Sequence, residues 1–201
     1  MKTDVIRVYS SGAQMEKALD QVEKVAAYKA LAPRQALHLR LLAEEMMGMM
    51  RSITGEKEGE FWIEDENGEY RLHLRVNTHM DSDKREKLLS VSKSGKNEAA
   101  RGLMGRIRDM FDQSMDDDVA SVTSPLLAPD MFDQTGLPSL DREWSLMRYV
   151  DALSAKVQQN DPAAREAWDE LEVSVVAHVA NDVKVSIKGR TVELTIIKQL
   201  G

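Results

Sequence analysis

The chain has 201 residues, of which 42% are hydrophobic and 30% charged; this balance is typical of a soluble globular protein and excludes a disordered one. Its 34 acidic and 27 basic side chains give a net charge of −7, which disfavours binding nucleic acid through the overall field. The absence of cysteine excludes disulfides, thiolate catalysis and cysteine metal sites. No stretch approaches the roughly 18 apolar residues of a membrane helix, so we expect a cytoplasmic protein with no membrane partner.

The first half of the chain predicts one strand, two helices and a hairpin. Residues 4–9 are rich in β-branched side chains and suit a strand. Apolar residues at helical spacing follow from Met15, and Pro33 opens a second helix that runs to about Ile53. Asn67-Gly68 is a strong signal for a two-residue hairpin turn. The arm after it alternates apolar and polar residues, so one face of the sheet is predicted to be buried and the other polar.

The second half of the chain predicts a polar segment, a helix, an excursion, two more helices and a final hairpin. Residues 79–97 are polar, a helix is predicted over 98–115, and residues 116–141 are rich in aspartate and proline. Asp141 and Asp161 are the expected N-caps of the next two helices, the first with Trp144, Met147 and Val150 inward. The last hairpin spans residues 183–198.

These elements predict an α+β fold. Helices on one face of a mixed or mainly antiparallel sheet make a two-layer α/β sandwich, with about five strands and five helices. We interpret residues 1–201 as a single domain, with an insert at 112–181 (a loop plus two helices) before the final hairpin. No internal repeat is visible, and no histidine pair has metal-site spacing, so no metal ligand is predicted.

Three groups of polar residues are candidates for a site. On the second helix, at about 100° per residue, Glu45 falls at the edge of the apolar stripe and Glu44 points to the opposite side. Asn77 ends the alternating strand, and its amide oxygen can accept a hydrogen bond. Further along lie residues that precede or open a helix whose free N–H groups favour an anion: Ser94, Gly95, Lys96, Asn97 and Gly102.

The element order and these fragments resemble the GHKL superfamily of histidine-kinase-like ATPases (the Bergerat fold), and most of all the anti-sigma-factor serine kinases. The resemblance covers residues 4–111 and 183–198. It implies that Glu45 orients a catalytic water, that Asn77 meets adenine, and that residues 94–97 and Gly102 cradle the phosphates of ATP. It also implies a Mg²⁺-binding asparagine four residues after the glutamate, where this chain has Met49, and a thioether is a poor ligand for Mg²⁺.

From this resemblance we expect a regulatory protein with weak or degenerate nucleotide binding that acts through a protein partner. The nucleotide would lie on the polar face of the sheet, between the helix of Glu45 and the segment at 79–97. Two alternatives remain: an interaction module that binds no nucleotide and docks through Trp144 and Trp168, and an active anti-sigma-type serine kinase. A purely structural interpretation is also open. In it, Glu44 and Glu45 form a solvated helix edge, Asn77 is a turn residue and residues 94–97 start a helix. The partner and the oligomeric state stay open.

Overall fold

The computed structural model describes residues 1–10, 15–54, 58–77, 142–172, 174–188 and 191–200. Within these ranges the chain forms six strands and five helices. The strands are β1 (Ile6–Tyr9), β2 (Glu58–Glu66), β3 (Glu69–Asn77), β4 (Arg142–Ser145), β5 (Asp182–Lys188) and β6 (Thr191–Gln199). The helices are α1 (Glu16–Tyr28), α2 (Pro33–Thr54), α3 (Leu146–Gln158), α4 (Pro162–Glu172) and α5 (Val175–Val179). The helix predicted over 98–115 lies outside the described residues.

The six strands form one sheet in the order β1-β2-β3-β6-β5-β4, and every neighbouring pair is antiparallel. This confirms the predicted α+β class and the mainly antiparallel sheet. The described residues contribute six strands rather than about five because β4 joins the edge beside β5.

The helices pack on one face of this sheet. A methyl group built on Gly59 of β2 would lie 3.0 Å from Met50 Sδ of α2 and 3.1 Å from Leu74 Cδ1 of β3, so α2 lies over the face to which Leu74 points. Side chains of the helices and of the inward strand positions form one buried cluster. Its fully buried members include Leu39, Leu42, Met46, Phe61, Leu72, Leu74, Val183, Val185, Leu194 and Ile196. Burial of this continuous apolar surface is the main stabilising term.

The opposite face of the sheet, termed the outer face, carries mostly polar side chains. On β3, Arg71, His73 and Arg75 alternate with four buried apolar residues, as the period-two pattern predicts. The hairpin before β3 is also as predicted, since Asn67 and Gly68 both have positive φ (52° and 82°), as a type I′ turn requires.

The sheet has two halves with the same order of elements. In each half an edge strand leads into helices and then into a hairpin whose second strand lies at the centre: β1, α1, α2, β2, β3 and then β4, α3, α4, α5, β5, β6. The halves meet where β3 pairs with β6, which we term the central seam. Nine residue pairs form this seam, and the middle pair is His73 with Thr195. The structural repeat has no visible counterpart in the sequence.

The start of the second half differs from the prediction. Residues 142–145 form β4 rather than a helical turn, and Trp144 is buried on it opposite Val185. The helix begins only at Leu146, so its buried residues are Leu146, Tyr149 and Leu153. The predicted Asp141 N-cap is therefore wrong, and so is the inward placement of Met147, which is 57% exposed.

The next helix begins as predicted. Pro162 is its first residue, and the Ala164 N–H donates to the Asp161 carboxylate at 3.4 Å, which is N-cap geometry. This helix, α4, stops at Glu172, and Val175 opens the separate short α5, capped by Ser174. In the described ranges no helix combines the length and apolar character needed to cross a bilayer.

Candidate functional site

The acidic pair on α2 lies on the side of the helix that faces away from the core. Glu45 is exposed, while Glu44 is half-buried and pairs with Arg40, whose Nε lies 3.4 Å from Glu44 Oε1. Arg40 also bonds to Glu23 of α1. The predicted order of exposure is therefore wrong: Glu45 is the more exposed of the two carboxylates, and Glu44 is held in an ion-pair network between the helices.

Met49 stands at the position where the resemblance implies a metal-binding asparagine. Its side chain is 2% exposed and belongs to the buried cluster with Met46, Met47 and Met50. A buried thioether offers no oxygen to a hard cation. The residues present on α2 therefore do not fit the implied Mg²⁺ site, and no chemistry of this chain is derived through a metal held there.

Asn77 is the last residue of β3, as predicted. Its Oδ1 accepts a hydrogen bond from Thr191 Oγ1 at 3.0 Å, across the central seam. An amide oxygen has two lone pairs, so one remains for a further donor such as an amino group. The bond fixes the orientation of the carboxamide, with its oxygen toward β6.

The C-terminal half of α2 and the end of β3 meet at the same end of the sheet. Met50 of α2 lies against Gly59, and the backbone oxygen of Arg75 is 3.0 Å from a methyl group built on that glycine. Asn77 is two residues beyond Arg75. The fold therefore brings the C-terminal half of α2 close to the end of β3, although the Glu45 side chain lies on the side of α2 that faces away from the core.

The location expected for that pocket is wrong in one respect. Because α2 covers the apolar face, it does not flank the polar face on which the nucleotide was expected to lie. The remaining predicted site residues, Ser94, Gly95, Lys96, Asn97 and Gly102, lie outside the described residues.

A cluster centred on His73 occupies the middle of the outer face. The His73 ring stacks on Trp62 with a centroid distance of 4.7 Å and an interplanar angle of 1°. The two residues are 9% and 4% exposed. Carboxylates lie on both sides, since His73 Nε2 is 3.5 Å from Glu64 and Nδ1 is 3.4 Å from Glu193. We refer to these four residues, with Thr195, as the His73 cluster.

Cations surround the tryptophan of this cluster. Lys2 Nζ lies 5.4 Å and Arg75 Cζ 5.0 Å from the Trp62 ring centroid, within the range of cation–π attraction. The Lys2 ammonium also donates to Glu64 at 2.9 Å and holds the pKa of that carboxyl below its usual value, while burial opposes the shift. Arg75 pairs with Glu193 at 3.2 Å. Alternation predicted that His73 faces outward, and the register of the hairpin places Trp62 opposite it. Thr195 and Glu193 come from a distant segment and had no local signal.

A concavity lies between the start of the chain and α1, with Lys2 at its edge. It has a volume of about 540 Å³ and is lined by residues 1–4 and Ile6 together with one stripe of α1, from Lys17 to Tyr28. None of the predicted site residues lines it. The Gln21 amide of α1 donates to the backbone oxygen of Asp4 at 2.8 Å. This bond links the two sides of the concavity.

The described ranges contain no group of three histidine, aspartate or glutamate side chains placed to hold a metal ion. Comparison with known proteins adds no family: no protein-family model matches the chain, and no curated protein is significantly similar to it in sequence.

Proposed function

We propose that this chain is a regulatory protein with a histidine-kinase-like ATPase fold that binds nucleotide weakly and acts by contacting another protein. The element order supports the fold: a strand, two helices and a hairpin, with a last hairpin completing the sheet beside β3. The position of α2 supports it too, since its C-terminal half meets the sheet at the end where Asn77 lies.

The burial of Met49 is the observation that carries the proposal for weak binding. In an active relative that position would present an oxygen ligand to the metal that neutralises the phosphates of ATP. Here the side chain is 2% exposed and packs in the core. A protein that keeps the elements around a pocket but not the metal ligand is better suited to regulation by contact than to phosphoryl transfer.

Within this proposal the nucleotide lies at the end of the sheet where Asn77 ends β3 and the C-terminal half of α2 packs. Asn77 offers its second lone pair to the adenine amino group, and Glu45 faces solvent beside the phosphates. The amide oxygen already serves Thr191, which weakens the adenine contact. Residues 94–97 and Gly102 contribute the phosphate contacts that the resemblance implies.

Calorimetry with ATP, in the presence and absence of Mg²⁺, tests this function. We expect dissociation constants above about 100 µM, which corresponds to a binding free energy weaker than about −5.5 kcal/mol, with little change on adding Mg²⁺ and no turnover. Asn77→Ala should abolish the residual binding, while Thr191→Ala should preserve or strengthen it. Micromolar affinity with turnover that Glu45→Ala abolishes and Glu44→Ala retains would instead establish the active serine kinase.

The bond between Asn77 and Thr191 favours a second candidate, an interaction module without any nucleotide. If the bond from Thr191 is the role of the Asn77 carboxamide, β3 offers no free group to recognise adenine. The calorimetric titration separates the two, since this candidate predicts no heat at millimolar ATP and no effect of Asn77→Ala. Docking through Trp144 is not part of this candidate, because that side chain is 6% exposed and packs 5.9 Å from the Tyr149 ring.

A further inference from the structure

His73 lies at the centre of the sheet, at the point where its two halves meet. It belongs to the middle pair of the central seam, opposite Thr195, and its ring stacks on Trp62 of β2. One imidazole therefore contacts side chains of β2 and β6 from β3. Only 9% of the residue is exposed, so its protonation changes a charge inside the structure rather than at its surface.

The two ring nitrogens of His73 face carboxylates on opposite sides. Nε2 is 3.5 Å from Glu64 Oε2, and no described residue makes a hydrogen bond with this buried atom. Nδ1 is 3.4 Å from Glu193 Oε1 and 3.2 Å from Thr195 Oγ1. A neutral imidazole has one N–H and one lone pair. Either tautomer therefore turns a lone pair toward a carboxylate, and only the imidazolium can donate to both.

Burial of His73 opposes its protonation, whereas the neighbouring carboxylates favour it. Burial lowers the pKa of His73 and is the largest influence; Glu64 and Glu193 raise it, and Lys2 lowers it, so that the pKa lies below the ordinary value of 6.5. Arg75 adds a positive charge beside Trp62 and pairs with Glu193. These charged groups belong to β2, β3, β6 and the N-terminal segment.

We propose that His73 is a proton-sensitive switch in the central seam. When neutral, it stacks on Trp62 and contacts Thr195, and the seam is fully stable. When protonated, it adds a buried positive charge between Glu64 and Glu193, which Lys2 and Arg75 already pair. The cost of burying this charge outweighs its attraction to the two carboxylates, and the joint between the two halves weakens. This inference does not rest on the proposed function, since it concerns the outer face alone.

The direction of the pH dependence follows from the linkage between proton binding and folding. A histidine whose folded-state pKa lies below its unfolded-state value binds more protons when unfolded. Its contribution to stability is therefore fully present above about pH 6.5 and is lost as the pH falls from there through the folded-state pKa. Acidification in this window should weaken the sheet.

Two measurements on the full chain test the switch. In the first, urea midpoints are measured from pH 5 to 8 for the wild type, His73→Gln and His178→Gln, the last a control with an exposed histidine. We expect the wild type and the control to lose stability below pH 6.5 and His73→Gln to lose less than half as much. Equal losses in all three would overturn the proposal.

The second measurement does not require the His73 variant to fold. The four histidine ring signals are titrated by NMR and assigned by replacing the other three histidines singly. We expect His73 to titrate below pH 6.5, and Glu193→Gln to move its midpoint lower still because a carboxylate has been removed. A His73 midpoint at or above 6.5, or one that Glu193→Gln leaves in place, would contradict the switch.

Discussion

At the scale of single residues, Asp182 links the start of β5 to the start of α3. Its carboxylate is buried and accepts hydrogen bonds from Ser145 Oγ at 3.0 Å, from the Met147 N–H at 3.0 Å and from the Val183 N–H at 2.8 Å. Met147 lies in the first turn of α3, whose free N–H groups favour a negative charge. Ser145 is the N-cap residue of α3, and Asp182, 35 residues after Met147, adds a second acceptor at the first turn.

Replacing Asp182 should therefore be costly. Asp182→Ala removes three charge-assisted acceptor contacts and leaves the Met147 N–H and the buried Ser145 hydroxyl without their partner, so we expect a loss of about 2–4 kcal/mol in the free energy of unfolding. Asp161→Ala is the matched control, since it removes one N-cap bond, at 3.4 Å, and should cost about 1 kcal/mol. Urea unfolding compares the two, and equal costs would mean that Asp182 is only an ordinary cap.

At the scale of elements, the glycines of α2 and β2 have different roles. Gly48 lies within α2, is exposed, and a methyl group built on it would meet no atom within 4 Å. Gly59 lies on β2 beneath α2, where the same methyl group would lie 3.0 Å from the Arg75 backbone oxygen and from Met50 Sδ. The first glycine costs helix stability without a packing reason, whereas the second lets α2 approach the sheet closely.

The two glycines should respond to the same substitution in opposite directions. Gly48→Ala should raise the free energy of unfolding by about 0.5–1 kcal/mol, because alanine loses less backbone entropy on folding. Gly59→Ala should lower it by about 1–3 kcal/mol, because the backbone of β3 cannot move aside as a flexible side chain can. Thermal unfolding of both variants measures this, and stabilisation by Gly59→Ala would show that α2 does not pack on β2 as described.

At the scale of the whole molecule, the predictions that succeeded depend on local sequence. The Asn67-Gly68 turn and the alternation along β3 are set by neighbouring residues, and both are observed. The strand at Trp144 was missed because its spacing also suits a helix, and only pairing with β5 decides between them. The contact of Asp182 with Met147 and the contact of His73 with Thr195 join residues 35 and 122 positions apart, which no local pattern specifies.

The candidate site was predicted only in part, because local sequence patterns specify some of its residues and not others. Asn77 was found because it ends an alternating strand, and α2 was found from its apolar stripe. The relative exposure of Glu44 and Glu45 was not, because a stripe as wide as that of α2 leaves the orientation of its edges uncertain by about one residue. The face on which a pocket forms depends on how α2 packs on the sheet, which helix periodicity alone does not give.

The central claim, that α2 turns Met49 into the core and so offers no metal ligand, is tested most directly by Met49→Asn, with Gly48→Asn as its exposed neighbour control. We predict that Met49→Asn lowers the free energy of unfolding by about 2–4 kcal/mol, since it replaces a buried apolar side chain with an amide. Gly48→Asn should change it by less than about 1 kcal/mol, and neither variant should gain Mg²⁺-dependent ATP affinity in calorimetry. A Met49→Asn protein that keeps its stability and binds ATP at least tenfold more tightly with Mg²⁺ than without would contradict the account.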